Sequence, residues 1–390
     1  MINFKYNNPA KVIFGDGAEN EIENLLKEYK VSSLLLVYSG DFIKKLGIWD
    51  TVHSACQKLN IAFHEEGNVV PNPKVELVRD LVSLGKSKEV DFILAVGGGS
   101  SIDTAKAVSI GIPYEGDVWD FFDGTNNVEK ALPIGVITTL PSSGSETSNC
   151  SIISNGILKV GVESDLIIPK FAIMNPRFTI GLPPYQTSCG LADILSHLLE
   201  RYFTDIENVD TTDFLLEGAI KALILNAHRL MKDPNNYNAR AEVQWLASIA
   251  HNNLLDTGRV SDWGSHRIEH ELSAQYGITH GEGMSVVLVA WTRYMASTAH
   301  KPKKLAQLAN RVFNVDYHDY TEEEMALILS NKLKEFFQSL NLKTTLTELN
   351  ITNEHFEEMA LRATQNNTCT VGHYLPLDKD RIIDILCLAQ

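Results

Sequence analysis

The stretch VDFILAVGGGSSIDTAKAV, residues 90–108, decides the fold. After Asp91 comes an unbroken apolar run, FILAV (92–96), of the kind that forms a strand buried on both faces. Three glycines, Gly97, Gly98 and Gly99, follow, and the remainder carries the alanines and spaced apolar residues of a helix. The expectation is a strand ending at Val96, a glycine turn, and a helix capped by Ser100 with Asp103 at its third position. Glycines at such a turn let backbone approach a ligand closely. The N–H groups and dipole of the new helix attract phosphate oxygens. The spacing matches neither G-x-G-x-x-G nor a Walker A loop, so the turn by itself is also explained as a tight bend with a good cap. A second polar loop, TTLPSSGSETS (138–148), follows another apolar run. Two such loops at strand ends strengthen a dinucleotide reading, because open α/β sheets bind ligands at the carboxyl ends of their strands.

Working outward, SSLLLVYSG (32–40) and ALPIGVITTL (131–140) repeat the pattern of an apolar run closed by turn residues. Between strands, PKVELVRDLVSLGKS (73–87) places Val75, Leu77, Val78, Leu81 and Leu84 at near-helical spacing. Buried strands alternating with helices predict βαβ units around a mostly parallel sheet. Of the 25 glycines, 17 lie in the first 182 residues. After LPPY (182–185) helical periodicity dominates, as in DFLLEGAIKALILNAHRLM (213–231) and AEVQWLASIAHNNLL (241–255). TEEEMALILSNKLKEFFQSL (321–340) opens with Thr321 and Glu324 at capping-box spacing. The predicted architecture is an α/β dinucleotide-binding domain with a mostly parallel sheet over 1–182, and an all-helical metal-binding domain over 183–390.

The bulk numbers narrow the function classes. With 390 residues, 44% hydrophobic and 21% charged, the chain reads as globular and large enough for two domains. A formal net charge of −15 and a pI near 5.3 argue against a broad nucleic-acid or anionic-membrane surface. The five cysteines are far apart and form no C-x-x-C pair, which favours a reducing compartment over a disulfide framework. The start MINFKYNNPAKV lacks the apolar core of a signal peptide, and no apolar run approaches the length of a membrane span. The expected location is the cytoplasm.

The second half carries the candidate metal ligands. GLADILSHLLERYF (190–203) sets Asp193 and His197 four residues apart, on one face of a helix. SHRIEHELSAQYGITH (265–280) adds His266, His270 and His280, with Gly277 placed to end a helix and turn the chain so that His280 points back. An isolated Asp–His pair is ordinarily a salt bridge, but three histidines on one short segment fit poorly with core packing. Two readings compete. HRIEH matches the H-x-x-E-H pattern of a zinc peptidase, with His266 and His270 on the metal and Glu269 as general base. That reading leaves Asp193, His197 and both polar loops unused. The other takes Asp193, His197, His266 and His280 as four ligands, with His270 beside them as proton relay or substrate contact. Imidazole and carboxylate without thiolate suit one divalent ion, Fe2+ or Zn2+.

Taken in order, NPAKVIFGDGAE (8–19), VVPNPKVELVR (69–79), GGGSSIDTAKA (97–107), TLPSSGSE (139–146), PKFAIMNP (169–176), LPPYQTSCGLADILSHLLERYF (182–203) and DWGSHRIEHELSAQYGITHG (262–281) resemble the iron-containing (group III) alcohol dehydrogenase family, in particular its butanol dehydrogenase-like branch. The resemblance covers essentially the whole chain. It implies metal ligands at Asp193, His197, His266 and His280, and the family's additional histidine at His270. It also implies phosphate contacts at Gly98, Gly99 and Ser100, a nicotinamide-side loop at Thr139, Leu140 and Ser143, and a lysine near the cofactor at Lys159. Ser142-Ser143 stands where the family often has Ala-Thr, which keeps the hydroxyl. Met174-Asn175-Pro176 replaces a commoner acidic-Pro pair.

Cofactor choice rests on YSGDFIKKLG (38–47). Asp41 would repel a 2′-phosphate and accept a hydrogen bond from a free 2′-hydroxyl, whereas Lys44 and Lys45 could pair with a phosphate. The balance favours NAD(H) over NADP(H). The expected activity is hydride transfer between a nicotinamide and a small primary alcohol or aldehyde, with a homodimer as the expected assembly. The alternatives are the zinc peptidase and a non-catalytic relative; an intact four-ligand set speaks against the latter.

Overall fold

The structure is a computed structural model that describes residues 1–390. Six strands form one sheet in the order β1-β8-β5-β4-β2-β3: β1 (Lys11–Phe14), β2 (Ser33–Tyr38), β3 (Ala62–Glu66), β4 (Phe92–Gly97), β5 (Ile134–Thr138) and β8 (Phe171–Met174). Every pairing in it is parallel. The chain runs from β2 outward to β3, returns to place β4 on the other side of β2, then continues to β5. The order of strands therefore reverses between β2 and β4, where such sheets open a crevice at their carboxyl ends.

The apolar runs form strands because both faces of the sheet are covered. On β2, Leu35 and Val37 join a core with the helices Val75–Ser87 and Gly99–Gly111. Leu34 and Leu36 point the opposite way, into a core with the helices Ile22–Glu28 and Ile48–Leu59. The two-residue period of a strand thus divides one continuous apolar run between two cores. An antiparallel hairpin, β6 (Cys150–Asn155) with β7 (Leu158–Glu163), stands apart from this sheet.

No strand lies beyond β8, and the rest of the chain is helical. The principal helices are Pro184–Tyr202, Asp210–Lys232, Tyr237–His251, Gly264–Tyr276, His280–Ser297 and Glu322–Ser339. The last opens with the expected capping box: the Glu324 amide donates to the Thr321 hydroxyl, and the Thr321 amide donates to the Glu324 carboxylate. No helix is long and apolar enough to cross a membrane.

The chain divides into two compact units. One comprises residues 7–182 with 235–252; the other comprises 1–6, 183–234 and 253–390. The change at 182/183 coincides with the shift in sequence texture. The helix Tyr237–His251, however, belongs with the sheet, and the first six residues belong with the helical unit. Helical periodicity identifies an amphipathic helix without saying whose core it completes.

Candidate active site

In the sheet unit, β4 ends at Gly97 and the helix begins at Gly99 with Gly98 as its N-cap. This corrects the expectation that Ser100 is the cap. The Gly98 carbonyl already receives the amides of Ser101 and Ile102, so Ser100 lies inside the first turn. At a helix start the first amides have no carbonyl one turn back, and here these belong to Gly99 and Ser100. The loop after β5 lies directly against this turn: the Thr139 amide donates to the Gly97 carbonyl at 3.0 Å. A Cβ added at Gly99 would stand 2.7 Å from the Ser143 hydroxyl, and one at Gly98 would stand 3.2 Å from Leu140 Cβ. Only glycine fits where the loop packs so closely, so Gly98, Gly99 and Ser100 form the turn whose free amides could take a phosphate, with Thr139, Leu140 and Ser143 packed beside it.

Asp103 points into the protein. Its carboxylate accepts the Ser145 hydroxyl at 2.7 Å and the Ile152 amide at 3.3 Å, which ties the glycine-turn helix to the second loop and to β6. Burial pushes its pKa up, against the charge of Lys106 and the hydrogen bond from Ser145. Lys106, one turn on, is wholly buried. Its Nζ lies 2.8–3.1 Å from the Ser145 and Ser148 hydroxyls and the Ser148 and Cys150 carbonyls. Burial pulls its pKa down to about 8, with Asp103 opposing. Lys159 sits on β7 opposite Ser154, and its charge is felt at Asp103. Asp41 follows β2, beside β4; its carboxylate is well exposed and pairs with Lys44 Nζ at 3.1 Å.

In the helical unit, the helix Pro184–Tyr202 carries Asp193 and His197 into the interior, where each is almost fully buried. His266 and His270 lie on the helix Gly264–Tyr276, which ends at Gly277 in the left-handed region, φ 68°. The chain turns there, and His280 becomes the first residue of the helix His280–Ser297. Asp193 Oδ1 stands 3.4 Å from His280 Nε2 and 3.7 Å from His197 Nε2. Ligand atoms of Asp193, His266 and His280 lie within 4.8 Å of one another. The His197 and His266 rings stack with centroids 4.9 Å apart, and the His266 and His280 centroids are 5.3 Å apart. Bonds of 2.0–2.2 Å to a tetrahedral ion put ligand atoms about 3.4 Å from each other. The donor set and its spacing therefore fit one divalent ion. His270 is half-buried, its centroid 5.6 Å from that of His280.

Two carboxylates orient these imidazoles. Glu200 Oε1 accepts the ring N–H of His266 at Nδ1 (3.0 Å), the His266 amide (3.0 Å) and the Ser265 hydroxyl, while Oε2 accepts the Trp263 amide (2.7 Å). Burial would push Glu200 up, but the hydrogen bond and charge of His266, with Ser265 behind them, hold it below the usual carboxylate range. Glu269, fully buried, accepts from His280 Nδ1 on one oxygen and from the Ser273 hydroxyl on the other. A histidine that donates from Nδ1 carries its lone pair on Nε2, the form a metal requires. The peptidase reading finds no support here, because a general base must reach an attacking water, and both oxygens of Glu269 are engaged inside the protein.

Glu200 and Trp263 were not anticipated from sequence. Asp193, His197 and Glu200 fall at i, i+4 and i+7, so helical spacing alone carries a signal for Glu200. Trp263 sits in the left-handed region (φ 64°), with its ring over the Arg201 guanidinium at 4.7 Å and edge-on to His266 at 5.0 Å. A bulky residue in that region gives no sequence cue.

A glycine cradle at a strand-to-helix turn and a buried histidine–carboxylate cluster define a class, the metal-assisted nicotinamide oxidoreductases. Residues 9–176 match the iron-containing alcohol dehydrogenase model, and residues 187–389 match the C-terminal model of the Fe-containing alcohol dehydrogenase family. The chain belongs to the iron-containing alcohol dehydrogenase family and is an alcohol dehydrogenase/aldehyde reductase. Among its relatives, the probable NADH-dependent butanol dehydrogenase 1 of Bacillus subtilis is 37% identical, with 99% of each chain covered. The NADPH-dependent aldehyde reductase YqhD of Escherichia coli is 32% identical, covering 98% of this chain and 99% of its own. The crystal structure of NADH-dependent butanol dehydrogenase A from Thermotoga maritima superposes with a TM-score of 0.94 at 33% identity, over 99% of this chain and 98% of that one.

Proposed function

We propose that this chain is a cytoplasmic, NADH-preferring reductase of small aliphatic aldehydes, working reversibly on the primary alcohols, with Asp193, His197, His266 and His280 holding one divalent ion. The observation that carries the reading is the convergence of Asp193 Oδ1 with His280 Nε2 and His197 Nε2, while Glu200 and Glu269 fix His266 and His280 from behind. When bound, such an ion supplies Lewis-acid polarisation of the substrate oxygen. Glu200 and Glu269 keep the two imidazoles in the lone-pair-forward tautomer and oriented. His270, beside His280, holds a proton for the substrate oxygen in this reading, directly or through a water. The amides of Gly99 and Ser100 receive the pyrophosphate at the helix N-terminus.

Asp41 supports NADH over NADPH. It stands at the carboxyl end of β2, where an acidic side chain accepts the ribose 2′-hydroxyl. Its pairing with Lys44 also occupies a cation that a 2′-phosphate would need. Relatives of both preferences exist, among them the butanol dehydrogenases named for NADH and the aldehyde reductase named for NADPH. The ligand set accepts iron or zinc, and the family description favours iron. Homodimer assembly belongs to the same proposal and is read by light scattering.

The test is cofactor oxidation with butanal, NADH against NADPH, on protein reconstituted separately with iron and with zinc. The expected result is turnover with iron and a preference for NADH of about tenfold, the scale of one screened like-charge contact. A preference for NADPH would overturn the role given to Asp41. Substituting His266 or His280 by Ala is expected to remove metal and turnover together, whereas His270→Ala keeps the metal and loses rate. Metal loss in His270→Ala equal to that in His266→Ala would overturn the ligand assignment.

A further inference from the structure

The helix Tyr237–His251 belongs to the sheet unit although it follows residues 183–234 in the chain. One of its faces runs along the loop after β5. Gln244 Nε2 donates to the Thr138 carbonyl at 3.4 Å, and the Ser248 hydroxyl donates to the buried Glu146 carboxylate. The Thr147 hydroxyl donates to the Ser248 carbonyl at 3.4 Å. Gly144 lies so close that a Cβ there would stand 2.4 Å from the Ala247 carbonyl oxygen. At the end of the helix, His251 Nδ1 lies 2.6 Å from the Ser143 carbonyl. Since a carbonyl only accepts, Nδ1 is the donor there. Ser143 is thus held from two sides: its carbonyl by His251, and its hydroxyl, which accepts the Ser145 amide at 3.3 Å, in the space a Cβ at Gly99 would need.

We propose that His251 is a positioning residue for the nicotinamide half of the cofactor: by fixing the Ser143 carbonyl it sets where the Ser143 hydroxyl and Leu140 stand relative to the glycine turn. This rests on the dinucleotide reading given above. The strand order supplies the polarity. The β4 turn is central, the β2 loop with Asp41 lies on one side, and the β5 loop lies on the other. If Asp41 faces the adenosine ribose, the β5 loop faces the nicotinamide.

Because the clamp touches one half of the ligand, its removal should be felt by NADH and not by ADP-ribose, which lacks the nicotinamide. Calorimetric titration of the metal-loaded protein with each ligand reads this without turnover. His251→Phe is expected to weaken NADH binding about tenfold, the scale of one hydrogen bond lost at a part-buried site. ADP-ribose affinity should stay within about twofold. His251→Asn, whose amide nitrogen replaces Nδ1–H, should restore NADH binding to within about threefold. His251→Gln, which displaces the donor by one methylene, serves where the phenylalanine variant does not fold; it too should lose NADH affinity and keep ADP-ribose. Equal losses for both ligands, no loss in either variant, or no rescue by Asn would overturn the proposal. Wild-type protein that binds neither ligand would instead overturn the dinucleotide reading.

Discussion

At the scale of single residues, burial decides which chemical groups are available. None of the five cysteines forms a disulfide. Burial pushes Cys56 up to about 11 and Cys189 up to about 12, while Cys369 and Cys387 are exposed. Iodoacetamide at pH 8 is therefore expected to label Cys369 and Cys387 and spare Cys56 and Cys189, as read by peptide mass spectrometry. The same shifts carry a pH dependence. Between about 9 and 11 the unfolded chain loses thiol protons that the folded chain keeps, so stability falls as pH rises through that window. Melting temperatures should decline above pH 9, and Cys56→Ala should flatten part of the decline; an unchanged slope would contradict it. What the sequence conveyed at this scale was residue type at helical spacing, enough to single out Asp193, His197, His266, His270 and His280 as candidates. It did not convey backbone conformation, and the cap expected at Ser100 falls on Gly98.

At the scale of elements, the periodic stretches translated directly into structure. The runs at 32–40, 90–99 and 131–140 contain β2, β4 and β5, and the stretch at 73–87 contains the helix Val75–Ser87. Each signal is local, a repeat of apolar side chains that one strand or helix must bury. The crossing of helices is not local, and it is here that Gly281 acts. A Cβ at Gly281 would lie 2.1 Å from the Cys189 carbonyl oxygen and 2.6 Å from its carbon, all rigid backbone. The helix His280–Ser297 can approach Pro184–Tyr202 this closely only without that atom. Gly281→Ala is expected to cost about 1–3 kcal/mol of stability as overpacking does. Because His280 is the adjoining residue, metal content on purification should fall as well. Thermal melts and metal analysis check the two effects together, and a variant that melts normally with full metal would contradict the packing argument.

At the scale of the whole molecule, the connectivity departs from a simple cut at 182. The chain passes between its two compact units at 6/7, 182/183, 234/235 and 252/253. Expression of residues 1–182 alone should therefore yield a poorly folded sheet unit, since it lacks Gln244, Ala247, Ser248 and His251 beneath the β5 loop and strands Glu146 without its partner. A chain joining 7–182 to 235–252 through a short flexible linker should recover cooperative melting. If 1–182 melted as sharply as the linked chain, the returning helix would be dispensable. Nothing local in 235–252 marks this destination, because an amphipathic stripe looks alike whichever core receives it.

The returning helix also constrains the timing of biosynthesis. A polypeptide leaves the ribosome from its N-terminus, at about 5–20 residues per second, and domains ordinarily fold as they emerge. Here the sheet unit is not complete when its last strand emerges, because it also needs residues 235–252. Its sheet waits, with the β5 loop unsupported, until residue 252 has been made. During those seconds the Glu146 carboxylate and the β5 loop lack the helix that covers them, and this is the interval in which a chaperone would find the protein.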